Sequence, residues 1–231
     1  MAAPARTFGG FSDSGLRLLA ALARHNDRTW FAPRKERFEA ELFAPMRALV
    51  ADSTQALARA KIALRGDAKR SIFRIYRDVR FGYDKSPYRT HLAAYLSYDG
   101  ERDTPGGIYI HIEPKRAFLS VAFYRLEKPM LQRWRSALVA EPERFLRILK
   151  TLEQRGLAFE GPERSEDSLV RVARGFEGHA NSAIAPYLRL RSFCADRTLA
   201  ADAVRSSELV EHVVAAARAA KPLLAYGWAL Q

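Results

Sequence analysis

The chain is poor in cysteine: Cys194 is the only one in 231 residues. No internal disulfide and no cysteine-based zinc site can form. No run of about 18 apolar residues occurs, so a membrane-spanning helix is not expected. The first eleven residues carry Arg6 but no apolar core of a secretory signal. With one thiol and no signal, the expected location is the cytoplasm. Several motifs are missing too: a G-x-S-x-G elbow, a P-loop and the Rossmann glycine pattern. Helix-turn-helix, RRM and zinc-finger signatures are missing as well. Acidic residues are scarce, 26 against 38 basic ones, which leaves a net charge of +12. Such a chain attracts anions at long range. Its hydrophobic content, 48%, is too high for a disordered protein.

The apolar spacing predicts helices at both ends and strands between them. Phe11-Ser12-Asp13-Ser14 places a cap before Leu16, Leu19, Leu22 and Ala23, so a first helix runs to about His25. Asn26-Asp27 breaks it. A second helix starts near Trp30 with Pro33 in its first turn, and Pro45 should kink or split it. After Gly66-Asp67 the period becomes two. Phe73 and Ile75 alternate with Arg74 and Tyr76 as a strand, and His91 to Tyr98 is a second. Gly106-Gly107 reads as a turn that opens a third, with Ile108, Ile110 and Ile112 on one face and Tyr109, His111 and Glu113 on the other. Pro114-Lys115-Arg116 turns it into a return strand, Phe118 to Tyr124. Helices then follow around Leu131 to Leu138, from Pro142 to Gly156, and over Ser182 to Leu190. A short strand is expected at Leu169 to Val172, and extended chain over Arg191 to Thr198. A last helix starts at Ser206-Ser207-Glu208, with Pro222 after its end. The fold class is α+β: one domain over 1–231, a central, mostly antiparallel sheet, an N-terminal helical hairpin and C-terminal helices packed on it. Residues 1–10 read as a flexible extension.

The densest charge runs from Lys69 to Arg89. Seven basic side chains (Lys69, Arg70, Arg74, Arg77, Arg80, Lys85, Arg89) face two acids, Asp78 and Asp84, interleaved with Phe73, Tyr76, Phe81, Tyr83 and Tyr88. Guanidinium groups grip phosphate or carboxylate in bidentate fashion and stack on rings. The two acids cannot neutralise Arg74, Arg77, Arg80, Lys85 and Arg89 together, so an external anion would complete the set. The purely structural reading stands beside this: Asp84-Lys85-Ser86-Pro87 is a turn, and the Arg and Asp side chains lock one another.

The string Arg77-Asp78-Val79-Arg80-Phe81-Gly82-Tyr83-Asp84-Lys85-Ser86-Pro87-Tyr88 resembles the R-D-x-R-F-x-x-D-K-S-P-Y hallmark of the DUF2461 family of uncharacterised proteins. Asn26 with Trp30-Phe31 resembles that family's N-N-x-x-x-W-F, with His25 in place of the first Asn. Arg174-Gly175-Phe176 resembles its K-G-[FY], and Leu190-Arg191-Ser192-Phe193 its L-K-x-F. The resemblance runs from Phe8 to Tyr226. It departs at Phe118 to Leu126, where the family tends towards a Gly-rich strand ending in Pro. The resemblance implies one α+β unit and supplies no catalytic residue.

The reading favoured by the residues is a binding module for an anionic ligand in a basic, aromatic-lined cleft built from Arg74, Arg77, Arg80, Lys85, Tyr88, Trp30 and Asn26. The partner is a phosphate- or carboxylate-bearing small molecule or a nucleic acid, with no membrane involved. One alternative is an enzyme in which Asp84 and Lys85 form an acid–base pair and Tyr88 positions the substrate. Another is a structural or interaction protein. No cofactor or metal is expected. His111 and Glu113 share a strand face, with His91, His179 and His212 as scattered third ligands, but the bland reading is an exposed polar face. Cys194 reads as a small core residue.

Overall fold

The computed structural model describes residues 7–80, 83–165 and 167–231. In chain order the helices and strands are α1 (Asp13–Arg24), α2 (Arg28–Phe31), α3 (Lys35–Phe38), α4 (Ala44–Arg59), β1 (Leu92–Ser97), β2 (Gly107–Ile112), β3 (Ala117–Phe123), α5 (Lys128–Ala140), α6 (Pro142–Gln154), β4 (Ala158–Phe159), α7 (Ala185–Leu188), β5 (Phe193–Thr198), α8 (Ala201–Arg205), α9 (Leu209–Ala219) and α10 (Lys221–Trp228). The fold is α+β with a five-stranded antiparallel sheet ordered β1-β2-β3-β5-β4. The β2–β3 hairpin closes through Glu113 N donating to Arg116 O at 3.1 Å, as the Ile-x-Ile-x-Ile alternation and the Pro-Lys-Arg turn predict. Among the described residues no helix is long and apolar enough to cross a membrane.

The residues group into two compact units. The first reaches to Thr104 and adds Ile108–Leu119 and Thr198–Ala215; the second comprises Pro105–Gly107, Ser120–Arg197 and Ala216–Gln231. In the first unit, Ser12 caps α1 by accepting from Gly15 N at 3.0 Å, and Asp27 caps α2 by accepting from Trp30 N at 2.8 Å. From Arg28 to Arg59 the chain stays helical but changes pitch twice: a 3-10 turn holds Pro33, and a wide π turn (Glu39–Phe43) precedes Pro45. A proline has no N–H for the helical ladder, so each proline falls where the ladder changes. Helix α4 packs on β1. Leu19, Leu22, Leu42, Met46 and Leu49 are fully buried, each stabilising the fold by roughly 1.5–3 kcal/mol.

The core of the second unit is aromatic. Trp134 of α5 stacks on Phe193 of β5 with ring centroids 4.0 Å apart, and Phe145 and Tyr226 meet Trp134 edge-on. Gly106, at φ +85, lies where a Cβ would come within 2.5 Å of the Phe123 ring and of Trp228 Nε1. Arg135 is buried in α5 and donates to Leu188 O at 3.0 Å and Leu190 O at 3.1 Å, so a charged side chain ties down the segment after α7.

Several elements depart from the sequence expectation. Residues 73–76 form no strand: Ile72 and Tyr76 make only isolated bridges, to Ala94 and Tyr88. Pro87, which has no N–H, interrupts the opposite side and stops a ladder from propagating. Leu169 to Val172 is not a strand either; only Leu169 is tied down, its N donating to Arg189 O at 2.9 Å. The helix expected over residues 182–190 shrinks to Ala185–Leu188. Pro222 follows the helix that starts after Ser206-Ser207-Glu208, as expected, since α9 ends at Ala219, but that helix is not the last. Pro222 itself sits in the first turn of α10, where a proline's missing N–H is harmless. Within the extension expected over residues 1–10, Phe8 is held in place: it is buried and its N donates to Asp52 Oδ2 at 2.7 Å. Residues 1–6 lie outside the described ones.

Candidate functional site

The Arg-Asp string is a surface segment in which most charges find partners nearby. Arg77 pairs with Asp84, and Arg80 grips Asp78 with Nε at 3.0 Å and Nη2 at 2.7 Å. Lys85 Nζ donates to Val79 O at 3.0 Å. Arg74 is exposed and bears electrostatically on Asp78. Asp84 accepts from Ser86 N at 2.9 Å, the turn that Asp-Lys-Ser-Pro predicts. Hydrogen bonds from Ser86 and Arg77 hold its carboxyl well below the usual carboxylate range. The hydrogen bonds from Arg80 bring Asp78 down to about 2. The expected surplus of cations over acids calls for an external anion only where the cations are partly buried. That does not hold for Arg80, whose side chain is 75% exposed and already solvated by water, and Arg77, at 33% exposure, is already paired with Asp84. Asp84, at 59% exposure and locked as an anion, is also a poor half of the proposed acid–base pair. Phe81, one of the expected interleaved aromatics, lies outside the described residues, as does Gly82.

Asn26 and Tyr88 come together, but as a structural joint, and Trp30 packs elsewhere. Asn26 Nδ2 donates to Tyr88 O at 2.9 Å, and Tyr88 N donates to Asn26 Oδ1 at 3.0 Å. The Tyr88 ring is buried and stacks on Phe31 at 4.2 Å; burial pushes its phenol up. Trp30 is covered by its own neighbours, with His25 stacked at 5.7 Å and the Arg34 guanidinium 4.3 Å above its ring. The Asn-x-x-x-Trp-Phe and Asp-Lys-Ser-Pro-Tyr stretches are thus two halves of one contact.

A second cluster lies on the β1–β2 face. His91, one residue before β1, stacks on His111 of β2 with centroids 4.4 Å apart. Phe118 covers the other face of His111 at 4.6 Å. His111 Nε2 lies 3.5 Å from Glu113 Oε2, while its Nδ1 lies 3.4 Å from the Tyr109 hydroxyl. Burial, aided by His111 and Arg89, brings His91 down to about 4; burial and Arg116 do the same to His111. Both imidazoles are therefore neutral near pH 7. Of the third ligands weighed in the sequence, His91 joins His111 and Glu113, whereas His179 and His212 do not.

The second unit carries an open concavity of about 680 Å³. Val170, Val172, Ala180, Ala185 and Pro186 form its apolar wall, and Arg171, Arg174, Arg189 and Glu177 its polar one. Arg189 Nε donates to Leu169 O at 2.7 Å, which pins the two rims together. Gly175, at φ +88, turns the chain after Arg174, and its N donates to Glu177 Oε2 at 2.8 Å. A hydrogen bond from its own backbone N–H, that bond from Gly175 and the nearby Arg174 keep the Glu177 carboxyl low. Arg171 and Arg174 are exposed, and neither makes an ion pair among the described residues. This basic hollow lay outside the expected site. The available signal was the Arg174-Gly175-Phe176 segment, which enters it.

The chain belongs to the DUF2461 family, described as a conserved hypothetical protein, which matches residues 14–226. No curated protein and no solved structure matches it.

Proposed function

We propose that the protein is a binding module for a small molecule bearing phosphate or carboxylate groups, and that the hollow lined by Arg171, Arg174 and Arg189 holds it. One observation carries this reading: three arginines and a single glutamate line an apolar-walled concavity of a size suited to a small ligand. Arg171 and Arg174 have donors to spare for an oxyanion, and Arg donors match phosphate and carboxylate bidentately. Arg189 serves the wall. The lining is aliphatic rather than aromatic, which disfavours single-stranded nucleic acid, since such ligands stack on rings.

The test is calorimetric titration with pyrophosphate and citrate at low salt. The parent should bind at least one of them, and Arg171→Ala with Arg174→Ala should abolish the heat. Arg77→Ala should not change it. A parent that binds neither anion, or a double variant that binds as well as the parent, overturns the reading.

A further inference from the structure

We propose that His91, His111 and Glu113 form a binding site for one divalent transition metal ion of the zinc and iron type, with open positions for an exogenous oxygen ligand. The alternation of β2 puts Tyr109, His111 and Glu113 on one face. The neighbouring strand β1 brings His91 onto the same face, one residue before its start. One ligand atom from each of the three side chains lies within 4.8 Å of the others, and all three residues are half-buried. Among the described residues this is the one such group.

The His111–Glu113 distance suits ligation better than hydrogen bonding. At 3.5 Å, His111 Nε2 and Glu113 Oε2 are too far apart for a good hydrogen bond. Two ligands of one tetrahedral ion, each about 2.1 Å from the metal, sit about 3.4 Å apart. The Tyr109 hydroxyl lies 3.4 Å from Nδ1, placed to become the partner of that nitrogen if the cluster tightens around an ion, which would leave the Nε2 lone pair for the metal. Ligating histidines ordinarily have such an outer partner on the second nitrogen. Phe118 on one face of the His111 ring and His91 on the other fix its plane. Two imidazoles and one carboxylate make three protein ligands, the number that leaves positions open in zinc and non-heme iron sites.

Two cations stand near the cluster. Arg89 bears electrostatically on His91, and Arg116 on His111. They lower affinity for a bare cation and favour an anion in the open position. Arg89 Nε is buried without a hydrogen-bond partner among the described residues, a donor suited to such an oxyanion.

The experiment uses the full chain stripped with chelator and titrated with Co²⁺, read by ligand-field absorption, and with Zn²⁺, read by calorimetry. One equivalent should bind. His91→Ala and Glu113→Gln should each weaken binding by more than about 100-fold, because losing even an outer partner costs about 10–100-fold. His179→Ala and His212→Ala should bind as the parent does. Glu113→Gln keeps the side-chain shape, and circular dichroism verifies its fold if His91→Ala does not fold. A parent that binds no Co²⁺ and no Zn²⁺ overturns the site. So does a folded Glu113→Gln variant with parental affinity.

Discussion

Asn26 and Tyr88, 62 residues apart, exchange two hydrogen bonds, the side-chain amide of one serving both the N–H and the C=O of the other. A carboxamide has one donor edge and one acceptor edge, so it pairs with a backbone as a neighbouring strand would. Pro87 cannot donate to a ladder, and the Asn26 amide supplies pairing beside it where strand pairing stops. Asn26→Ala leaves both Tyr88 groups without these partners. The expected cost is about 2 kcal/mol, or roughly 4–8 °C in Tm, measured by thermal unfolding.

Arg80→Ala should leave Tm essentially unchanged. Its pair with Asp78 is local and solvent-exposed, and exposed pairs contribute little. A marked fall in Tm would restore the view that the Arg-Asp string locks the first unit.

Gly106→Ala should destabilise strongly. Its backbone lies at φ +85, and a Cβ would collide with the Phe123 ring and Trp228 Nε1 at 2.5 Å. Left-handed strain and overpacking together cost about 2–4 kcal/mol, read as a lower denaturant midpoint with an unchanged slope.

The alkaline limb of stability should depend on Tyr226. Burial pushes its phenol up to about 12 from an ordinary 10.0, and its hydroxyl has no hydrogen-bond partner among the described residues. The unfolded chain loses this proton first, so stability is intact below pH 10 and falls as pH rises towards 12. The loss reaches about 2–3 kcal/mol per molecule at the upper end. Tyr226→Phe should remove that part of the fall, as measured by denaturant titrations at pH 9 and pH 11.5.

Much of the frame was legible in the sequence because it rests on local rules. Ser12 and Asp27 cap helices where their positions predict, Pro33 and Pro45 mark the breaks in the second helix, and the Ile108-Ile110-Ile112 alternation forms the hairpin strand. The fold class, α+β with an antiparallel sheet, followed from these. The site was less legible because it depends on which distant residues meet. Charge density drew attention to Arg77, Arg80 and Lys85, yet their partners lie within a few residues, and density along a chain cannot distinguish a ligand cradle from a self-satisfied surface loop. His91 was one of three scattered histidines until strand order placed its ring on His111. The hollow around Arg171 and Arg174 is formed by irregular chain, which leaves no periodic trace.

Cys194 lies inside β5 at 4% exposure, and burial raises its thiol well above the ordinary range. A thiol in that condition is inert to alkylating reagents while the strand stays closed. Because the chain has no second sulfhydryl, each labelled molecule records an excursion in which β5 parted from its surroundings. The rate of labelling under native conditions thus reports how often this protein opens, with no reporter group introduced.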